Sequence, residues 1–588
     1  MFGSSFKYLL FLLWVGLIYL IGISLFTSGF LLRRQVLPNR TECAAPKSCN
    51  QPPAVFQKAV ILLIDALKFD FCLHNESLSN PKPYQNKLPI LRELSRPDPT
   101  SNLAHGKLFK FVADPPTTTM QRLKGLTTGS LPTFIDMASN FGSAEVTEDN
   151  LVDQLEAGGK RVVFAGDDTW TSLYPSSFTR SSPQPSFDVW DLDTVDREVA
   201  KVLTMELRNP RQWDVFIGHF LGVDHAGHKF GPNHPEMGRK LGEMNSVIER
   251  VARSLPQDTL LLVFGDHGMT GAGDHGGDSP SELEAGLFAY SPSLGLHTSP
   301  EPPAVAQIDL VPSLSLLLGV PIPFSSLGSI IDDLFLPSSL LSSSPKHARQ
   351  ATYSYENLVN FRLSYIRANV DQVSRYLTAY LAVGGHFPEA ANSRVRQLAS
   401  MVKKTSGALS GRQVLELYKD SRTFLEEARK MCQSVWVDFN LPAMGHGLNI
   451  LFLHTSVLLI LVLKPPNRLL SHLLSPSLLL TLLIGLLLGG LLGLTASLLT
   501  GHSPQLLVAG TAAFCSVIIH GFSLLWKLRQ SLVDIVHGLV RAFSLQAAFL
   551  CLLFLGLLLL AFSNSFVVLS APVLNFLTAS LLASYILR

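Results

Sequence analysis

The stretch Leu261 to Gly277, LLVFGDHGMTGAGDHGG, constrains the fold more than any other part of this chain. An apolar run from Thr259 to Phe264 stops at Gly265, and Asp266 and His267 follow at once. Residues of this type in so short a run suit a strand buried on both faces. A buried strand ending in a carboxylate and an imidazole brings metal-type ligands to the carboxyl edge of an α/β sheet. The glycines on either side free the backbone for positive φ and for close approach to an ion or a phosphate, and His275 closes the stretch. Taken alone, the pair is equally an ordinary polar strand-end loop.

The pattern repeats elsewhere. Asp65 ends the apolar run AVILLID, either as a strand-end cap or as a metal ligand. Asp224 and His228 lie in LGVDHAGHKFGP, directly after DVFIG, and Gly222, Gly227 and Gly231 predict a tight loop there. Together these are three carboxylates and three imidazoles at or just after strand ends, about what two divalent ions roughly 4 Å apart require. Mixed nitrogen and carboxylate donors suit Zn²⁺ better than Mg²⁺ or Ca²⁺, with Mn²⁺ as the alternative. His219, His225 and His234 read as structural or surface residues.

DPPTTTMQRLKGLTTG, Asp114 to Gly129, offers a nucleophile for such a site. A threonine hydroxyl needs a metal to lower its pKa and aim it. Three successive threonines ahead of a helix are equally good capping residues.

Further strands are predicted at Ala59 to Ile64, Arg161 to Ala165, Asp214 to Gly218, Leu260 to Phe264 and Gly286 to Tyr290, with helices between them such as Pro235 to Leu255. Ile308 to Ile322 reads as a short helix closing this domain. Beyond a serine-rich linker at Ser338 to Ser344, two apolar stripes appear at helical spacing. One carries Val370, Val373, Leu377 and Tyr380, the other Leu417, Phe424, Ala428 and Met431. They predict a helical stalk, or helices packed on the α/β domain.

The chain's two ends are different in kind. Only 16% of its 588 residues are charged, and its mean hydropathy is +0.27; the apolar excess sits at the termini. Tyr8 to Leu32 has the length of an uncleaved signal anchor. Further spans are predicted at Leu448 to Leu463, Ser477 to Leu499, Gln505 to Trp526, Ala542 to Phe562 and Phe566 to Leu587. The last run ends at Arg588 without a polar tail, as in a shortened form of a longer membrane region. The expected organisation is therefore a signal anchor over 1–34, a catalytic domain over 35–343, a helical region over 344–446 and a multispanning part over 447–588. Arg33, Arg34 and Arg40 would place the domain in the cytoplasm. The acceptor sequons at Asn39 and Asn75 favour the lumen, and the lumen is the expectation adopted. Cys43 and Cys49 are spaced for a small disulfide, and no CxxC pair appears. A net charge of +2 with no basic stripe excludes nucleic acid as a partner.

In this order Asp65, the Pro-Thr-x-Thr run, Asp-x-x-Gly-His-x-x-Gly-Pro, Gly-Asp-His-Gly-Met and the late His-Gly resemble the alkaline phosphatase superfamily. Within it, FTSGFLL, RVVFAGDDTW, HFLGVDHAGHKFGPNHPEM and GDHGMTGAGDHGGDS resemble the glycosylphosphatidylinositol (GPI) ethanolamine phosphate transferases. The resemblance implies an alkaline-phosphatase-like α/β catalytic domain plus an α-helical transmembrane region. It implies one zinc on Asp224, His228 and His275, and another on Asp65, Asp266, His267 and the nucleophile. It favours Thr119 as that nucleophile, with Thr118 second, and Asn140 as a phosphate ligand. The implied substrates are phosphatidylethanolamine and the 6-hydroxyl of the third mannose of a GPI precursor. A small multispanning partner subunit and the endoplasmic reticulum membrane are implied too. Transfer to another mannose, a membrane-anchored zinc phosphodiesterase and a non-catalytic scaffold are the rival expectations.

Overall fold

The computed structural model describes residues 4–30, 36–42, 52–99, 103–131, most of 145–335, most of 355–436, the helices Leu441–Leu463 and Pro476–Thr500, and a few residues between 511 and 523. Cys43, Cys49, Asn140 and the spans expected from 526 onward lie outside the described residues. Residues 34–436 form one compact unit, and residues 1–33 with 437–562 form another.

The first unit is built on an eight-stranded sheet. Its strands are β1 (Lys58–Ile64), β2 (Gly106–Val112), β3 (Val162–Asp167), β4 (Arg180–Gln184), β5 (Val215–Phe220), β6 (Thr259–Phe264), β7 (Glu284–Tyr290) and β8 (Ala304–Ala306). The order is β4-β3-β5-β1-β6-β7-β2-β8. All pairings are parallel except those of β7, which runs antiparallel to both β6 and β2.

Burial on both faces explains why the central strands read as unbroken apolar runs. Along β1, Ala59, Ile61 and Leu63 enter one hydrophobic core, while Val60, Leu62 and Ile64 enter the other. Successive strand residues point to opposite faces, so a strand covered on both sides has no polar position to spare. On the first face lie the helices Thr119–Thr128 and Leu310–Leu318, and on the second Thr194–Arg208 and Pro235–Ser254.

The five expected strands are all present. Sequence reading missed β2, β4 and β8, and also the polar helix Glu389–Lys404. The striped helices run Tyr355–Ala382 and Gly411–Trp436. Of the two arrangements open to them, the structure shows packing on the α/β domain. Val370, Val373, Tyr376, Phe424 and Cys432 are buried in the same core as the sheet, and Gln372 Nε2 donates to the Phe324 and Ser326 carbonyls.

In the other unit the helix Ser4–Phe30 lies along Leu441–Leu463. A side chain at Gly447 would meet the Phe26 backbone at 2.5 Å, so glycine lets the two helices come together. Trp14, Ile18, Leu25 and Ile450 form their shared core. Helices occupy three of the expected spans. Among the described residues, none is long and apolar enough to cross a membrane.

Candidate metal centre

Three adjacent parallel strands, β5, β1 and β6, deliver the donors from their carboxyl ends. Asp65 follows β1, and Asp266 and His267 follow β6. The backbone turns sharply after Asp65: Ala66 has φ +55°, and its N–H donates to Asp266 Oδ1 at 3.1 Å. The His267 N–H reaches the same oxygen at 3.1 Å. Gln307 binds the Asp266 carbonyl at 2.6 Å from beneath.

Asp224 and His228 are not in a loop. They sit on the helix Gly222–Phe230, one turn apart on one face. The glycines that suggest a loop are instead demanded by close contact. A side chain at Gly222 would meet Lys240 and Asp196, and one at Gly227 would meet Met269. Gly231, with φ +78°, ends the helix.

Thr118 is the N-cap of the helix Thr119–Thr128, and its hydroxyl turns to Gln121. Thr119 is the first helical residue, with Oγ 3.4 Å from His267 Nε2 and 3.5 Å from Asp65 Oδ2. Thr117, fully buried, anchors the glycine-rich loop. Its hydroxyl accepts from the Gly276 N–H at 2.9 Å and donates to the Gly277 carbonyl at 2.9 Å, while its carbonyl meets His275 Nδ1 at 2.8 Å. The three threonines thus hold three different posts.

The donors face one another. His267 Nε2 is 3.3 Å from Asp65 Oδ1 and 3.3 Å from Asp266 Oδ2. Asp224 Oδ2 lies 3.4 Å from His228 Nε2, and Asp224 Oδ1 lies 3.5 Å from His275 Nε2. The two imidazole Nε2 atoms are 3.0 Å apart. Two groups, Asp224-His267-His275 and Asp65-Asp266-His267, each have their ligand atoms within 4.8 Å of one another. Four donors at about 2.0–2.1 Å around a tetrahedral ion stand about 3.3–3.4 Å from each other, which is the spacing seen here.

The fit is supported by what these atoms lack. Asp65 Oδ1, Asp224 Oδ1 and Asp266 Oδ2 are buried without a hydrogen-bond partner, a costly state for a carboxylate that no cation offsets. Burial, reinforced by Asp266, Asp224 and Asp167, drives the Asp65 carboxyl well above its usual range. Burial pulls His267 down to about 4. Burial also works to raise Asp224, but the imidazoles of His275, His228 and His267 outweigh it and hold that carboxyl low. His267 is fully buried and His228 exposed, so the site opens toward solvent on the His228 side.

The other histidines diverge. His225 Nδ1 meets the Asp191 carbonyl, and His234 caps the helix Pro235–Ser254. His219, read as structural or surface, is not a surface residue: it is fully buried, with Nε2 3.3 Å from Asp65 Oδ2. A lone strand-end histidine has no spacing partner in the sequence; only the pairing of β5 with β1 reveals its neighbour.

A family model described as type I phosphodiesterase / nucleotide pyrophosphatase, of the alkaline phosphatase superfamily, matches residues 117–284. The chain is 42% identical over 468 residues to GPI ethanolamine phosphate transferase 3, catalytic subunit, of Homo sapiens, covering 75% of this chain and 41% of that protein. With the Mus musculus protein of the same name it shares 39% over 605 residues, or 97% of this chain and 53% of that one. With GPI ethanolamine phosphate transferase 3 of Saccharomyces cerevisiae it shares 46% over 342 residues, 56% and 33% of the two chains. The chain spans about half or less of the length of these curated relatives.

Proposed function

Because this chain shares its sequence with the GPI ethanolamine phosphate transferases over most of its length, we propose that it moves phosphoethanolamine from phosphatidylethanolamine to a GPI precursor, on the 6-hydroxyl of its third mannose. The observation that carries the reading is Thr119 Oγ, set at a helix N-terminus and aimed at His267 and Asp65.

Asp224, His228 and His275 would hold one ion; Asp65, Asp266, His267 and Thr119 would hold the other. Two ions there, zinc on this donor set with manganese as the alternative, would supply Lewis acidity to the nucleophile and to the departing oxygen. Thr119 Oγ attacks phosphorus and gives its proton to Asp65 Oδ2, 3.5 Å away. The Oγ–phosphorus bond forms, the bond from phosphorus to the diacylglycerol oxygen breaks, and diacylglycerol leaves with that proton. The mannose hydroxyl enters from the open His228 side, its oxygen bonds to phosphorus, the Oγ–phosphorus bond breaks, and the hydroxyl proton passes back to Thr119 Oγ. The first-turn N–H groups of the helix Thr119–Thr128 point toward the phosphoryl oxygens.

Both substrates are lipids, and the long apolar sequence runs at the chain's ends support a reaction carried out at a membrane. The domain then faces the lumen of the endoplasmic reticulum. Two relatives are named as catalytic subunits, which supports a further subunit.

The test is to incubate purified full-length protein with phosphatidylethanolamine, with and without a mannosylated GPI acceptor, and to search tryptic peptides for phosphoethanolamine on Thr119. The matched phosphodiesterase model favours one rival, hydrolysis. A hydrolase releases free phosphoethanolamine whether or not the acceptor is present, whereas a transferase makes product only with it.

A further inference from the structure

His219 takes no part in the reading above, yet it is buried against a residue that does. On β5 it is the register partner of Leu63 on β1, and Leu63 shares its face of the strand with Asp65. The neighbouring strand therefore sets the imidazole beside the carboxylate, with His219 Nε2 3.3 Å from Asp65 Oδ2. On the ring's other side Trp170 Nε1–H donates to His219 Nδ1 at 3.1 Å.

That bond decides the tautomer. An indole N–H only donates, so Nδ1 must carry a lone pair, and the ring's proton lies on Nε2. His219 is thus neutral, with its Nε2 proton on the side of the ring that approaches Asp65. Asp167 is no competitor: its Oδ2 stands 3.7 Å from Nδ1, beyond hydrogen-bond range, and its Oδ1 accepts the Thr169 N–H at 2.8 Å. Nε2 is buried without a hydrogen-bond partner, and Asp65 Oδ2 is a carboxylate oxygen 3.3 Å from it. Gly166 packs closely against the His219 backbone. Gly166 has φ +137°, and a side chain there would meet the His219 carbonyl at 2.4 Å.

We propose that His219 is a positioning residue: locked by Trp170, it presents Nε2–H to Asp65 Oδ2 and so turns Asp65 Oδ1 toward Asp266 and His267, where an ion is held. The inference rests on the two-metal reading. Outer partners of this kind orient metal-binding carboxylates, and losing one typically costs about 10- to 100-fold in metal affinity. The ion on Asp65 is the one affected most, because His219 approaches Asp65 at 3.3 Å, while among the described residues no hydrogen bond or ion pair joins it to Asp224, His228 or His275.

The test is a zinc-binding isotherm on metal-stripped, full-length protein, read as affinity and stoichiometry, for wild type, His219→Leu, His219→Gln and Trp170→Phe. A glutamine amide N–H reaches the position of Nε2, whereas leucine fills the space and donates nothing. Wild type binds two ions. His219→Leu weakens one of them about 10- to 100-fold and leaves the other, His219→Gln restores it to within a few-fold, and Trp170→Phe, which frees Nδ1, falls between. The inference is overturned if His219→Leu binds both ions as wild type does, or if His219→Gln is as weak as His219→Leu. Should His219→Leu not fold, Trp170→Phe decides, and an unchanged isotherm overturns the tautomer lock. Wild type that binds no zinc removes the two-metal reading itself, a result distinct from all of these.

Discussion

His267 and His275 stack face to face, ring centroids 3.9 Å apart and planes 17° from parallel. Each belongs to the Asp224 group, and His267 also belongs to the Asp65 group. The two donor sets therefore share a wall, and removing one ring loosens the other. In His275→Ala we expect the ion on Asp224 and His228 to be lost and the second to weaken, with metal affinity falling about 10- to 100-fold and transfer falling with it. In His267→Ala both ions go. Metal content of the purified variants checks this, and a His275→Ala protein with two tightly bound ions sinks it.

Thr119→Ala removes the hydroxyl without disturbing the helix start. Thr118 remains the N-cap, and its carbonyl still accepts the Arg122 N–H at 3.0 Å. Transfer should drop by about three orders of magnitude or more, as when a covalent nucleophile is deleted, while the melting temperature stays close to wild type and Asp65, Asp266 and His267 still hold an ion at reduced affinity. Thr118→Ala should keep most of the activity, since that hydroxyl faces Gln121. Equal activities of the two variants would show that neither hydroxyl is the nucleophile.

Gly273 ties the glycine-rich loop to the helix that carries His228. It has φ +91°, and a side chain there would lie 1.9 Å from the Gly227 carbonyl. In Gly273→Ala the left-handed conformation alone costs about 1–2 kcal/mol, and relieving the clash separates the loop from the helix Gly222–Phe230. His275 then moves away from His228. The expected result is loss of the ion held on the Asp224 side with the Asp65 side retained, read by zinc stoichiometry falling from two toward one.

What the sequence discloses about this fold follows from burial. β1, β5 and β6 are covered on both faces, so they read as plain apolar runs, and the acidic and histidine residues just past them stand out. β2 is legible only in hindsight. Its Lys107 and Lys110 interrupt the run, although Lys107 is nearly buried and pairs with Asp333 at 2.9 Å. β4 is a polar edge strand and β8 has three residues, so neither carries a signal. The helix around Asp224 was hidden by glycines whose purpose is contact with Met269 and Lys240, a relationship between distant residues. His219 was hidden for the same reason.

Asp214 provides a test of the sheet that bypasses the centre. It precedes β5 and accepts from Arg161 Nε and backbone N–H at 2.9 Å each on Oδ2, and from Arg161 NH2 at 2.9 Å on Oδ1. Lys58 Nζ stands 3.5 Å away. The Arg161 side chain, followed by its backbone N–H and Lys58, holds the carboxyl far below its usual range despite the opposing effect of burial. A carboxyl whose folded pKa is depressed adds stability above its unfolded pKa of about 4, and loses that contribution as pH falls through the folded value. Asp214→Asn should therefore lower stability at pH 7 by roughly 1–2 kcal/mol, discounted because Arg161 is partly exposed. Thermal unfolding of wild type and variant, followed from pH 7 downward, should show a gap of a few degrees that holds to about pH 5 and narrows below about pH 4. A gap that widens on acidification would mean that the Arg161–Asp214 pair does not stabilise the junction of β3 and β5 through charge.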